Sequence, residues 1–287
     1  MERTTVAIDL AKTVFQVAVS HRPGKTTETR RVRRRQLPVL MAQYPCSVVV
    51  MEACGSSSFW GRKFQSMGHE VRLLPPSQVK PYVRRNKTDS ADAKALLEAH
   101  RNEAIRPVPV KSIGQQTLAA LHRFRAGWMA ERTARINGLR GVLRELGVVI
   151  PVGAPRVVPA VMVLVEDAES EVPDGLRHTL WEVCREIRDL ERRIKEVERQ
   201  LEALGKQFPA HARLRTIPGV GLLTATALLA FVGDARRFTT GRHLASYLGL
   251  TPNEHSSGLT RHLGGISKRG DRYLRMLLVH GARSVLF

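Results

Sequence analysis

Short apolar runs alternate with helical patterns along the first third of the chain. The runs predict strands at residues 4–8, 14–19, 28–33, 47–51 and 71–74, and the patterns between them predict helices at 37–43, 59–67 and from about residue 90 onward. The run at 47–51 is almost continuously apolar, which is typical of a strand buried on both faces of a sheet. Strands interleaved with helices indicate a layered α/β domain, which we place at residues 1–110.

Helical periodicity replaces this alternation in the middle of the chain, at residues 111–208. Apolar residues recur near one face at 112–146, and heptad spacing runs from Leu180 to Leu204. The heptads fit either one amphipathic helix in a globular domain or an antiparallel or dimeric coiled coil. Between the two helical segments, four helix breakers predict a linker or a domain boundary, namely Pro151, Gly153, Pro155 and Pro159.

The last segment, residues 209–287, is predicted to be a mainly α domain. Within it, Gly219 and Gly221 form a Gly-x-Gly turn before a helix of small residues. Such a turn resembles the hairpin of a helix-hairpin-helix module, whose backbone N–H groups bind phosphate, although it also serves tight packing. The sequence stops at Phe287 inside an apolar helical pattern, so we expect the natural C-terminus further on or a truncated gene.

The net charge of the chain indicates which kinds of molecule it binds. Its 287 residues include 46 Lys+Arg against 26 Asp+Glu, a formal net charge of +20 with a pI near 11.0. A chain this basic attracts polyanions, of which nucleic acid is the commonest. No membrane partner is expected, because no stretch reaches the roughly 18 apolar residues of a spanning helix. Asp9 and Lys12 interrupt the first apolar run, which argues against a signal peptide.

The cysteines fit a reducing compartment. Cys46, Cys54 and Cys184 form no CxxC pair, so we interpret them as ordinary thiols and expect no structural zinc. A cytoplasmic location is therefore predicted.

Four carboxylates stand where α/β domains place their ligands. Asp9 closes the first predicted strand and Glu52 follows the buried run, while Asp89 and Asp92 begin the next helix, three residues apart on one face. Strand-end carboxylates project beyond the sheet edge. Because clustered carboxylates repel one another unless a divalent cation neutralises them, the set predicts a Mg²⁺ or Mn²⁺ site that acts on a phosphodiester. Singly, Asp89 could be a helix cap and Asp92 a solvated first-turn acid.

A serine and several cations stand close together in the last segment. Ser257 precedes Gly258 on a predicted loop, where its hydroxyl can be exposed. The cations that follow are Arg261, Lys268, Arg269 and Arg272. Cations beside an exposed hydroxyl suit attack on a phosphodiester, because they screen charge on the phosphorus oxygens. The alternative is a basic phosphate-binding loop without chemistry.

Taken in order, these segments resemble the IS110 family of transposases, in particular its IS1111-like branch. The likeness covers nearly the whole chain. The first segment is similar to the family's RuvC-like domain of RNase H-like fold, whose Asp-Glu-Asp-Asp quartet maps onto Asp9, Glu52, Asp89 and Asp92. The last segment is similar to its transposase domain, whose nucleophilic serine precedes a glycine and maps onto Ser257, with Ser256 adjacent.

This resemblance implies a prokaryotic, nucleoid-associated recombinase that cuts and rejoins DNA through a covalent phosphoserine link. It also implies dimers and tetramers in which the acids of one subunit meet the serine of another. An element-encoded bridge RNA is expected to select the target and donor DNA. Nucleic acid is expected on the basic stretches 30–35 and 80–87, the second of which contains Arg84, Arg85 and Lys87.

Two other functions stay open at this point. A Holliday-junction nuclease of the RuvC class would use the same acids with water as the nucleophile, and would not need Ser257. A nucleic-acid-binding protein without catalysis would need neither that serine nor acids clustered at strand ends.

Overall fold

The computed structural model describes residues 3–22, 25–83, 89–258 and 260–286, without the side chains of residues 89 and 90. The chain forms two compact units, Met1–Ser112 and Ile113–Phe287. The helical and C-terminal segments distinguished in the sequence pack together within the second unit. In the described part of the chain, no helix is both long enough and apolar enough to cross a membrane.

The first unit is a mixed α/β domain. In chain order its elements are β1 (Thr5–Asp9), β2 (Val14–Ser20), β3 (Glu28–Arg33), α1 (Leu37–Ala42), β4 (Val48–Glu52), α2 (Ser57–Ser66), β5 (Glu70–Leu74), α3 (Pro76–Val79), a 3-10 turn (Lys80–Tyr82) and α4 (Asp89–His100). The sheet has the order β3-β2-β1-β4-β5. Strands β1, β4 and β5 are parallel to one another. Strand β2 pairs antiparallel with β1 on one side and with β3 on the other. All five predicted strands are present, with ends shifted by at most a residue.

Both faces of this sheet are covered. On one face Ile8 and Met51 pack with Phe15, Trp60 and Phe64, from β2 and α2. On the other face Ala7 and Val50 pack with Ala93 and Leu96 of α4. A strand between two packed layers exposes neither face to water, which is why β4 reads as one apolar run.

The second unit begins with an antiparallel pair of long helices. It contains α5 (Ile113–Glu145), α6 (Ala154–Glu166) and α7 (Asp174–Gly205). Ion pairs join α5 to α7 in antiparallel order, at Arg125–Glu198, Arg132–Glu191 and Arg135–Glu186. The heptad residues of α7 thus pack against α5 of the same chain and against α6.

The linker predicted between the helical segments is partly wrong. Residues 154–166 form α6, with Pro155 in its first turn and Pro159 inside it. Proline fits a first turn because its missing N–H would have no partner there. The burial of Val157, Val158 and Val161 against α7 offsets the hydrogen bond that Pro159 removes.

The C-terminal part of the second unit is mostly helical but carries one hairpin. Its elements are α8 (Ala210–Arg215), α9 (Leu222–Phe231), a 3-10 turn (Ala235–Arg237), α10 (Gly241–Tyr247), β6 (Pro252–Glu254), β7 (Leu263–Ile266) and α11 (Arg272–Leu286). The hairpin β6–β7 was not predicted. Its strands of three and four residues are too short, and too rich in Gly and polar side chains, to show an alternating pattern.

Candidate active site

Asp9 and Glu52 lie side by side at the carboxyl edge of the sheet. They are the last residues of β1 and β4, which are parallel and pair Ile8 with Met51. Asp9 follows Ile8 and Glu52 follows Met51, and successive side chains of a strand point to opposite faces of the sheet. Both carboxylates therefore lie on the face that packs against α4, and both are partly exposed.

Helix α4 runs antiparallel to β1 and delivers its N-terminus to the same edge. Its C-terminal residues Leu97 and His100 line a pocket with Thr5, the first residue of β1. The helix packs on β1 between these ends, so Asp89 and Asp92 lie toward the carboxyl edge. Asp92 is partly exposed, and the side chain of Asp89 lies outside the described residues.

The predicted acids thus lie at one edge of the sheet, but the described side chains do not form a complete set of metal ligands. Among the described residues, no group of three or more His, Cys, Asp or Glu side chains is close enough to hold a metal ion. The side chain of Asp89, the fourth acid of the predicted set, is not among them. The donors are carboxylate oxygens, the ligand type that Mg²⁺ and Mn²⁺ prefer, so the residue types fit such a cation.

Cations flank the acids at the same edge. Strand β3 ends there, since Arg33 pairs with Val14 at the start of β2. Arg34 follows, with its backbone N–H donating to Thr13 and its guanidinium 5.2 Å from the centre of the Trp60 ring. The predicted nucleic-acid residues Arg84, Arg85 and Lys87 lie outside the described residues.

Ser257 lies at the tip of the β6–β7 hairpin. Its backbone N–H and carbonyl pair with Thr260 at 3.2 and 3.1 Å, and Gly258 has a φ of +56°. A positive φ directly after the pairing residue is the mark of the tight hairpin turns that favour glycine. The turn holds Ser257 exposed at the end of the hairpin, in place of the irregular loop predicted from the sequence.

The neighbouring Ser256 is held by a hydrogen-bond network. Its hydroxyl donates to the Glu254 carboxylate at 2.7 Å and accepts the His262 N–H at 3.3 Å. Arg261 Nε donates to the same carboxylate at 3.2 Å. The hydrogen bond from Ser256, and then the charge of Arg261, lower the pKa of Glu254. This carboxylate is consequently ionised at neutral pH and a weak base.

Close backbone crossings shape the basic loop behind the hairpin. Lys268, at a φ of +55°, donates its N–H to Gly249 at 3.0 Å. A Cβ added to Gly270 would lie 2.3 Å from the Tyr247 carbonyl oxygen, so only glycine fits there. The loop presents exposed cations at Lys268, Arg269 and Arg272.

The Gly-x-Gly turn has a clear packing role. Gly219 has a φ of +79°, and a Cβ on it would lie 2.4 Å from the carbonyl oxygen of Gly281 in α11. Gly221 is exposed and directly precedes α9. Packing alone accounts for Gly219, and phosphate binding by either glycine stays a prediction.

A buried histidine network joins α5, α9 and α11, and it was not predicted from the sequence. His122 lies 3.0 Å from Thr226 Oγ1 and 3.1 Å from the Tyr273 hydroxyl. Burial, with a smaller effect of Arg125, lowers the pKa of His122 to about 4. Thr226 donates to the Leu222 carbonyl, so it accepts from His122 Nε2. A lone His in an amphipathic helix offers no signal of such partners.

Comparison with known proteins matches both units. A family model for a DEDD transposase of the IS110 type, described as "Transposase", matches residues 6–148. A second model, "Transposase IS116/IS110/IS902 family", matches residues 211–287.

Relatives match over nearly the full length. The chain is 42% identical over 290 residues to a "Probable family 20 transposase" of Pseudomonas aeruginosa, covering 100% of the chain and 85% of the relative. It is 39% identical to the transposase for insertion sequence element IS1111A of Coxiella burnetii, over 98% of the chain and 77% of the relative. A pilin gene-inverting protein of Moraxella bovis is 26% identical, over 100% of the chain and 84% of that protein.

Proposed function

The chain belongs to the IS116/IS110/IS902 family of transposases, and from this premise we propose that it cuts and rejoins DNA with the carboxyl-edge acids and the hairpin serine. The likeness to the IS1111A transposase supports the IS1111-like branch. The observation that carries the proposal is the placement of Asp9 and Glu52 at the ends of neighbouring parallel strands, on the face of α4.

An RNase H-like fold for the first unit is part of the proposal. The sheet order β3-β2-β1-β4-β5, with β2 antiparallel among parallel neighbours, supports it. This topology brings the ends of β1 and β4 and the start of α4 to one edge. It is the only part of the first unit where strand-end acids and flanking arginines meet among the described residues.

The acids are proposed to hold a divalent cation. A DEDD transposase domain implies dependence on a divalent metal in general. Asp9, Glu52 and Asp92, with Asp89, would hold it, and the bound cation would stabilise charge on a phosphodiester. Arg33, at the same edge of the sheet, would hold a neighbouring phosphate.

Ser257 is the proposed nucleophile. Its Oγ would attack phosphorus and form a serine phosphate ester, while the bond from phosphorus to the leaving deoxyribose oxygen breaks. The serine proton leaves to a base, and the leaving oxygen takes up a proton. The reverse reaction joins the strand again without ATP, because the ester keeps the energy of the broken bond.

The base for this step is proposed to come from outside the hairpin. Glu254 is engaged by Ser256 and Arg261, and its lowered pKa makes it a poor acceptor for the Ser257 proton. Asp271 accepts the Leu274 N–H at the start of α11. We therefore propose that the acids of one subunit complete the site around the serine of another, within a homo-oligomer.

A guide RNA that selects the DNA is also part of the proposal. It rests on the resemblance to bridge-RNA-guided recombinases and on the basic surfaces of the chain. The net charge of +20 suits both DNA and RNA.

Cleavage of a duplex that carries the element ends tests the proposal. Asp9→Asn keeps the size of the side chain but removes its charge, and should lower the rate by at least roughly a hundredfold, about 2.7 kcal/mol of barrier. Asp174→Asn is the matched control, because Asp174 is an exposed acid at the start of α7, outside the first unit. Equal rates in the two variants would overturn the assignment of the acidic edge.

A further inference from the structure

A basic pocket lies at the amino edge of the sheet, opposite the acids. It has a volume of about 140 Å³ and lies among β1, the β2–β3 turn and the end of α4. Its charged lining consists of four Arg or Lys side chains and one Glu, namely Arg3, Arg22, Lys25, Arg101 and Glu98. Arg3 pairs with Glu70 and Arg101 with Glu98. Within the described residues, Arg22 and Lys25 have no ion-pair partner.

The turn that carries these two cations is fixed by a buried hydroxyl. Ser20 Oγ lies 2.7 Å from the Arg22 carbonyl oxygen and 3.0 Å from that of Lys25, and donates between them. The Lys25 N–H also donates to the Arg22 carbonyl at 3.2 Å. The backbone of Arg22 and Lys25 is thus held in place, and both side chains line the pocket.

Apart from Leu97, the remaining side chains of the lining are polar and can hydrogen-bond an anion. Burial, with a smaller contribution from Arg72, lowers the pKa of His100, so its imidazole is neutral at neutral pH. His21 lies beside it in the lining, with its Nδ1 3.1 Å from Thr4 Oγ1. Hydroxyls of Thr5 and Thr26 complete this polar surface.

We propose that this pocket binds a backbone phosphate of a nucleic-acid strand, at a site separate from the acidic edge. Two unpaired cations on a fixed turn, with neutral donors around them, match a phosphate, which accepts hydrogen bonds from Arg in particular. The 12 residues of α4 separate the pocket from Asp89 by about 18 Å. That length corresponds to about five steps of a duplex strand. The inference depends on neither the metal nor the serine.

Binding without metal tests this site apart from catalysis. The double variant Arg22→Gln/Lys25→Gln removes the charges, and Ser20→Ala keeps every charge but releases the turn. The control Arg193→Gln/Lys195→Gln removes the same charge from two exposed residues of α7. Each chain is titrated with labelled single-stranded DNA and with RNA of the same sequence, in EDTA and over a range of salt, after circular dichroism confirms folding.

The wild-type affinity should fall steeply with salt. Loss of one phosphate contact should lower the slope of log affinity against log salt by about 0.7, and the affinity by roughly 5-fold at 0.1 M salt. Ser20→Ala should also weaken binding, and the α7 control much less. Whether DNA or RNA responds more strongly identifies the strand that fills the pocket.

Two results would overturn the proposal. One is equal loss of affinity in the pocket and α7 variants, which would mean that only net charge matters. The other is that both pocket variants bind DNA and RNA like wild type, although inorganic phosphate perturbs the NMR signals of His100. The pocket would then be a site for small anions only.

Discussion

The Ser256 hydroxyl donates to the Glu254 carboxylate at 2.7 Å, beside the proposed nucleophile. Arg261 and the His262 N–H join the same network. Within the described residues, the Ser257 hydroxyl makes no hydrogen bond. The two adjacent serines therefore have different surroundings, one bound within the hairpin and the other exposed at its tip.

The first prediction separates these serines. Ser256→Ala should keep strand cleavage measurable, because it removes one exposed hydrogen bond to Glu254 and leaves the Ser257 hydroxyl in place. Ser257→Ala should remove cleavage altogether. Rates on one DNA substrate compare the two, and an inactive Ser256→Ala beside an active Ser257→Ala would exchange their roles.

The second prediction concerns the contact between Gly219 and α11. Gly219→Ala places a Cβ 2.4 Å from the Gly281 carbonyl oxygen at a φ of +79°, so α11 must shift. We expect a loss of about 2–4 kcal/mol in the free energy of unfolding, measured with urea.

Gly127 supplies the matched control. A Cβ on Gly127, inside α5, meets nothing within 4 Å. Gly127→Ala should be neutral or stabilise by up to about 1 kcal/mol, because alanine favours helix. Equal loss in both variants would contradict the packing role of Gly219.

The third prediction is a pH dependence of stability from His122. Its folded pKa of about 4 lies below the ordinary histidine pKa of 6.5, so the unfolded chain binds the proton first. Stability is fully present above pH 6.5 and is lost as the pH falls toward 4, by about 3 kcal/mol in total.

Urea unfolding across this pH range checks that direction. His122→Gln has no titrating ring, so its stability should change less between pH 6.5 and 4 than that of wild type. An unchanged slope in the variant would assign the effect to other groups.

Much of the first unit could be predicted from the sequence. Strand runs such as 47–51 are set by burial, and burial leaves a local pattern of apolar residues. The acids Asp9 and Glu52 were found because they end such runs. The two acids are adjacent because β1 pairs in parallel with β4. No single segment of the sequence predicts this pairing, because the order of strands depends on contacts between distant segments.

The errors have a common physical cause, which is contact distant in sequence. Pro159 stays helical because α7 covers α6, and His122 is satisfied by Thr226 and Tyr273, more than a hundred residues away. The heptads of α7 did not predict which helix packs against them, because apolar spacing defines the packing face of a helix but does not identify the neighbouring helix. That partner is α5 of the same chain.

The fourth prediction concerns a site shared between subunits. Asp9→Asn and Ser257→Ala should each be inactive alone. Mixed in one oligomer, an intact set of acids can meet an intact serine, so part of the cleavage activity should return. Activity that stays absent in verified mixed oligomers would confine both groups to one subunit.

The most direct test of the account is the covalent link itself. The wild-type chain, incubated with its DNA and a divalent cation and then denatured, should yield a DNA end joined to the peptide that contains Ser257. Mass spectrometry of the digested adduct locates the linked residue. The account predicts phosphate ester at Ser257 and no adduct from Ser257→Ala, whereas an adduct that persists in Ser257→Ala would contradict it.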